Sequence, residues 1–430
     1  MEEITFSEQL KWIGISSLVV SSYMFLGGFH IGPISLRLIV SYGLLGYTLW
    51  RDSTEYQPTT SIKMYFVYLA FYIFISLLNF NAFEFSFIKN LIAYFIVSCS
   101  AIFAFPRFFK TEASIRGAYI VLVAIFLLNA FVTYLQFHNS QLGWAIGIYI
   151  NPVQIEELEG IRSYIENEDE FQAALLFGVM GNAVANGYFV ATMLPIVTYY
   201  VWDKNGHKII WTIIMFLIAG FCIYMVQQRM ALAIAAFYVF TILVLKERTT
   251  SPIVSFIIAT TILILLSIVF FENFDVSDLG RLATIKDNES RFGTLTVLSD
   301  FLNDPLQVLF GYNRVGTDID LYVFHTMGHN SFLDALRRGG IFLLIVYIVL
   351  FFRLCRSLVE MVQFSRSVKD YRTLGMALGC LCYLLYSLTH SAGIQSGGIM
   401  FWTLFMLTIQ SYRVTCETID AEEAEKEKNH

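Results

Sequence analysis

His329 lies in the one long polar interruption of an otherwise apolar chain, residues 272–340. It precedes Asn330 and Ser331, both natural N-caps, so it stands at the start of a predicted helix that ends at Gly339-Gly340. A helix N-terminus and nearby arginines both disfavour imidazolium, which leaves a neutral ring able to accept a proton. The free N–H groups of the same helix start favour an anion. Cations surround it in sequence. Arg291 opens a predicted amphipathic helix over 291–302, where a positive charge opposes the helix dipole unless an anion sits between. The plain alternative is a surface arginine paired with Glu289 or Asp287. Arg314, with Tyr312, falls on the turn-rich stretch Phe310–Gly316, and Arg337 and Arg338 occupy the last turn before Gly339. A general base beside such cations suits attack of a hydroxyl on an anomeric carbon, with a diphosphate leaving. That chemistry needs neither metal nor cofactor, provided the guanidinium groups take up the developing charge.

The elements that must position these residues read as membrane helices. The chain of 430 residues is 57% hydrophobic and 14% charged, with mean hydropathy +0.62, against about 25% charged in a soluble domain. Apolar runs predict an all-α polytopic membrane protein of about twelve spans: 12–30, 34–50, 62–80, 87–105, 117–137, 174–201, 209–226, 230–246, 253–271, 341–357, 373–390 and 396–412. Basic residues concentrate in alternate connections (Arg107, Lys110 and Arg116; Arg353, Arg356, Arg366, Lys369 and Arg372). By the positive-inside rule both termini are then cytoplasmic and 272–340 is external. The expected organisation is a bundle over 1–271, the external segment 272–340, further spans over 341–416 and an acidic tail, 417–430. That tail reads as a frayed helix or a disordered segment. No cleavable signal is evident at the N-terminus. A net charge of −6 with no basic field excludes nucleic acid as a partner. The scattered cysteines read as packing residues.

Two further places hold polar groups. Asn182 and Asn186, four apart on the predicted sixth span, serve either interhelical hydrogen bonding, the preferred reading, or contact with a sugar or lipid diphosphate. Gln227-Gln228-Arg229 divides two apolar runs that either form separate helices or join as one longer or re-entrant element.

Together these residues resemble the O-antigen polymerase and O-antigen ligase family of bacterial envelope glycosyltransferases. The likeness rests on His329 followed by Asn330, Phe332-Leu333 and Gly340 (His-x10-Gly), on Arg291 with Leu295, and on Pro305…Leu309-Phe-Gly-Tyr312. Gln228-Arg229-Met-Ala-Leu232 is similar to the family's Ser-Arg-x-Ala-Leu stretch, with Gln in place of Ser. The resemblance implies a C-type membrane glycosyltransferase architecture with one large external segment, in the bacterial inner membrane. It implies a donor glycan on undecaprenyl diphosphate, with a chain-length regulator and a flippase as pathway partners. His329 becomes the base, and Arg291 and Arg229 the diphosphate ligands. Arg314, Arg337 and Arg338 are added on charge and placement, and Asn330, Asn182, Asn186 and Tyr312 as glycan or lipid contacts. Polymerase is preferred over ligase. A secondary transporter is a third reading, and a metal site of His325 and His329 with Asp318 and Asp320 is a fourth, weakened because His-Thr-Met-Gly-His lacks a zinc hydrolase's glutamate.

Overall fold

A computed structural model of the chain describes residues 5–32, 34–50, 59–78, 85–151, 176–204, 208–226, 228–246, 302–303, 305–311, 330–388 and 399–428. Among these, the α-helices are α1 (Phe6–Met24), α2 (Leu36–Trp50), α3 (Thr60–Leu78), α4 (Phe85–Phe108), α5 (Glu112–Phe137), α6 (Gln141–Ile150), α7 (Ala183–Lys204), α8 (Lys208–Val226), α9 (Arg229–Lys246), α10 (Pro305–Phe310), α11 (Ser331–Val368), α12 (Tyr371–Ser387) and α13 (Ile399–Lys428). The only sheet among the described residues is a short antiparallel pair, His30–Ile31 with Ile34–Ser35, turned by Gly32 at φ +65°. The protein is all-α in character. Among the described residues, three helices are long and apolar enough to cross a membrane, by length and composition: α5, α7 over 183–202, and α11. On α8, Ile210, Ile213, Leu217 and Phe221 form an exposed apolar row while Met215, Ala219, Cys222 and Val226 are buried. An uncovered apolar row of that length suits lipid rather than water.

The chain divides into two compact units, residues 1–123 with 288–430, and residues 124–287. In the first, α11 packs on α3, α10 and α12, α13 on α4 and α12, and α2 on α4. Aromatic side chains fill this core. Tyr65 lies 4.2 Å from Trp402 between ring centroids, and Tyr23 donates or accepts at Ser41 Oγ, 2.9 Å away, and at Ser100 Oγ. In the second unit α7 packs on α8 and α9. Cys99, Cys222, Cys380 and Cys382 are buried free thiols, as packing residues should be.

Every predicted span that falls on described residues overlaps a helix, although the first helix ends at Met24 rather than 30; the run 253–271, and residues 291–301 of the amphipathic helix expected from Arg291, lie outside the described residues. Several boundaries differ, each for a local reason. The sixth span starts at Ala183 rather than 174, because Gly178 (φ +56°) and Gly181 (φ +87°) take left-handed backbone that ends any helix. Pro305 begins α10, where its missing N–H is not needed. Helix α11 continues past 357 to Val368, closed by Lys369 at φ +60°. Helix α13 likewise continues through the acidic tail to Lys428. Between α8 and α9 the chain is interrupted at Gln228, so these are separate helices.

Candidate functional site

The helix after His329 is built as its sequence demands. Asn330 is the N-cap of α11; its Oδ1 accepts from Phe332 N at 2.8 Å and Leu333 N at 3.3 Å, satisfying donors a helix start leaves open. Its Nδ2 donates to Leu388 O at 2.6 Å. Ser331 Oγ donates to Ser387 O. Two side chains thus pin this helix start to the end of α12. The first limb of α11 runs to Arg338 and is broken at Gly339 (φ −148°, ψ 17°) and Gly340 (φ 66°, ψ −163°).

That break is where two motif stretches lock together. A Cβ at Gly340 would overlap Leu309 O and Leu309 C and stand 2.6 Å from Phe310 N. Reciprocally, a Cβ at Gly311 (φ +80°) would stand 2.5 Å from Arg337 O and 2.7 Å from Gly339 N. Backbone lies on backbone at both crossings, so each position admits only glycine. Leu309-Phe-Gly and Arg337-Arg-Gly-Gly are far apart in sequence and form one joint.

Beside this joint sits a buried charge cluster. Asp334 is fully buried and is ion-paired with both Arg337 Nη2 and Arg338 Nε, the latter at 2.8 Å. Arg338 Nη1 also donates to Tyr72 Oη on α3 at 3.2 Å. The side chain of Arg337 is 6% exposed and that of Arg338 24%. Tyr72 stacks on Tyr68 with a 5° interplanar angle, and Tyr68 meets Tyr347 edge-on at 5.8 Å. Arg337 is therefore tied into the core, while Arg338 is the more accessible of the two cations.

The second unit holds a different polar site. Asn129, Thr133, Gln136 and Asn186 are all fully buried. Asn129 Nδ2 donates to Asn186 Oδ1 at 2.7 Å, and Asn186 Nδ2 donates to Thr133 Oγ1 at 3.0 Å and Leu176 O at 3.1 Å. Val179 N donates to Asn129 Oδ1 at 3.0 Å, and Gly178 N to Gln136 Oε1 at 2.9 Å. Side chains of α5 and α7 thus satisfy the non-helical backbone over 176–179, as such backbone inside a helical bundle requires. Asn186 is an interhelical hydrogen-bonding residue. Asn182 instead caps α7, its Oδ1 accepting from Ala185 N at 2.6 Å.

Of the residues singled out in the sequence, Asn330, Arg337 and Arg338 fall on one limb of α11 in the first unit. Asn182, Asn186 and Arg229, the first residue of α9, belong to the second unit. Arg291, Tyr312, Arg314 and His329 lie outside the described residues, as do His325, Asp318 and Asp320. Sequence reasoning missed Asp334 and Tyr72 as partners of the arginines. It also missed the α5 face of Asn129, Thr133 and Gln136, although its i, i+4, i+7 spacing inside an apolar run was visible. No protein-family model matches this chain, and no curated protein matches it.

Proposed function

We propose that this protein is a membrane glycosyltransferase that polymerises a surface polysaccharide at the outer face of the bacterial inner membrane. The donor is a glycan on undecaprenyl diphosphate, and the acceptor is a sugar hydroxyl of another lipid-linked repeat. His329 takes the acceptor's proton as its oxygen attacks the anomeric carbon. The bond from that carbon to the diphosphate oxygen breaks, and the electron pair leaves with the diphosphate, which Arg291 and Arg314 stabilise. The observation that carries this reading is the glycine joint. The Gly of the His-x10-Gly spacing and the Gly of Leu309-Phe-Gly-Tyr312 are both sterically obligatory, and each is required by the other's stretch. Two motifs quoted separately for the resemblance are thus parts of one structural device, built on the helix that starts two residues after His329.

The test is a deletion strain complemented with His329→Ala. Loss of a positioned base costs roughly a hundredfold or more in rate, so polymer disappears from the glycan profile while the protein persists in the membrane. Undiminished polymer in that variant removes the base from the mechanism. Single repeats capping lipid A–core mark a polymerase. Lipid-linked polymer beside bare core marks the alternative, a ligase that transfers the same donor to lipid A–core.

A further inference from the structure

The side chain of Asn330 serves two helices at once. Its Oδ1 accepts from Phe332 N and Leu333 N in the first turn of α11, and its Nδ2 donates to Leu388 O. Of the four hydrogen bonds that an amide side chain can make, three thus go to backbone. That leaves little for a sugar, which argues against the glycan contact read from the sequence. Leu388 is the C-cap of α12, and its carbonyl belongs to the set that a helix end leaves open. Ser331, fully buried, adds a second tie, its Oγ donating to Ser387 O. Adjacent residues of α11 therefore hold adjacent carbonyls of α12. One hydrogen bond lets a chain swivel about it, whereas two side by side fix direction as well as distance. The far end of the same limb is held at the glycine joint, where Gly311 and Gly340 leave no room for a side chain. A short limb held at both ends is the kind of rigid support that a reacting group needs.

We infer that Asn330 is a positioning residue of the transfer reaction. Its amide, with the Ser331 hydroxyl beside it, fixes the start of α11, the helix that follows the base His329 in the chain, on the end of α12. The reaction rests on the glycosyl-transfer reading above; the tie between the two helices does not.

The experiment uses the full-length protein in detergent micelles, with lipid-linked repeats extracted from the deletion strain as substrate. Asn330→Asp keeps an acceptor for the cap and removes only the donor to Leu388 O, so it separates the tie from the cap. Its melting temperature stays near the wild-type value, while amide hydrogen exchange over 331–338 becomes faster. Its kcat falls about tenfold with KM unchanged, since a misplacement of about 1 Å costs roughly a hundredfold at most. Ser331→Ala acts in the same direction and leaves the cap entire, so it decides alone if Asn330→Asp aggregates. Combined with His329→Ala, Asn330→Asp lowers the residual rate no further, because residues acting as one unit are not additive. A purely structural loss would multiply instead and overturn the inference. So would a raised KM with kcat retained, the mark of a glycan contact, and so would exchange and kcat at wild-type values in both variants. The two proposals fail separately. Undiminished transfer in His329→Ala, with kcat still lowered by Asn330→Asp, sinks the base and keeps the positioning. Loss of transfer in His329→Ala, with wild-type kcat in Asn330→Asp and Ser331→Ala, keeps the base and sinks the positioning.

Discussion

Each unit of this protein holds a buried polar cluster among its described residues, one a neutral amide network and the other ionic. In the second unit the groups are neutral amides and a hydroxyl, and the network closes on itself: Asn129, Thr133, Gln136 and Asn186 serve each other and the backbone over 176–179. In the first unit the groups are charged: Asp334 is ion-paired with both Arg337 and Arg338, and Arg338 also donates to Tyr72. A fully satisfied neutral network specifies a backbone path. A buried ionic cluster is poor structural cement, because desolvation offsets most of its Coulombic gain.

The largest effect that breaks this comparison comes from the glycine joint beside the charged cluster. Gly340→Ala forces a side chain into left-handed backbone and onto the Leu309 carbonyl. Strain and overlap together cost about 4 kcal/mol, enough to separate residues 309–311 from 337–340. The expected outcome is loss of monodisperse protein on size-exclusion chromatography in detergent, and Gly311→Ala should behave alike. By contrast Gly14, Gly43 and Gly46 meet nothing within 4 Å, so alanine there should leave the elution profile unchanged.

Next in size is Asn186→Ala. It removes Asn129's acceptor together with the donor to Thr133 and Leu176 O, leaving buried groups without their partners. Single interhelical hydrogen bonds in membranes average about 0.6 kcal/mol, whereas each stranded buried group costs about 1–3 kcal/mol. A destabilisation of about 2 kcal/mol is expected, read as a lower melting temperature in detergent. An unchanged melting temperature would show that the network does not hold the backbone over 176–179.

The helices were legible in the sequence because apolar runs of bilayer length admit few other structures. The cap at Asn330 and the break at Gly339-Gly340 were legible for the same kind of reason, since both are local backbone rules. The start of α7 was not. The backbone over 178–179 bonds to side chains from more than 40 residues away, Gly178 N to Gln136 and Val179 N to Asn129, and Gly178 and Gly181 take left-handed φ there. The candidate site divides along the same line. Asp334, Arg337 and Arg338 stand at i, i+3 and i+4, so their pairing was readable from helix geometry alone. Tyr72 was not, because α3 reaches α11 only in the folded protein.

The smallest effect sharpens the contrast within a single helix. Asn182 and Asn186 are the same residue type, four apart, and the sequence treats them as a pair. In the folded chain one caps α7 from an exposed position and the other is sealed in the network. Losing a cap costs about 1 kcal/mol, because water replaces part of what the side chain gave. Asn182→Ala should therefore lower the melting temperature less than Asn186→Ala does. Asn182→Ser or Asn182→Asp should recover the cap's contribution, since either side chain accepts from the same backbone N–H. Asn186→Ser should not recover the network, for a single hydroxyl cannot reach Asn129, Thr133 and Leu176 O together. Equal losses at the two positions would mean that the exposed asparagine also holds the backbone over 176–179, and the division between cap and network would have to be redrawn.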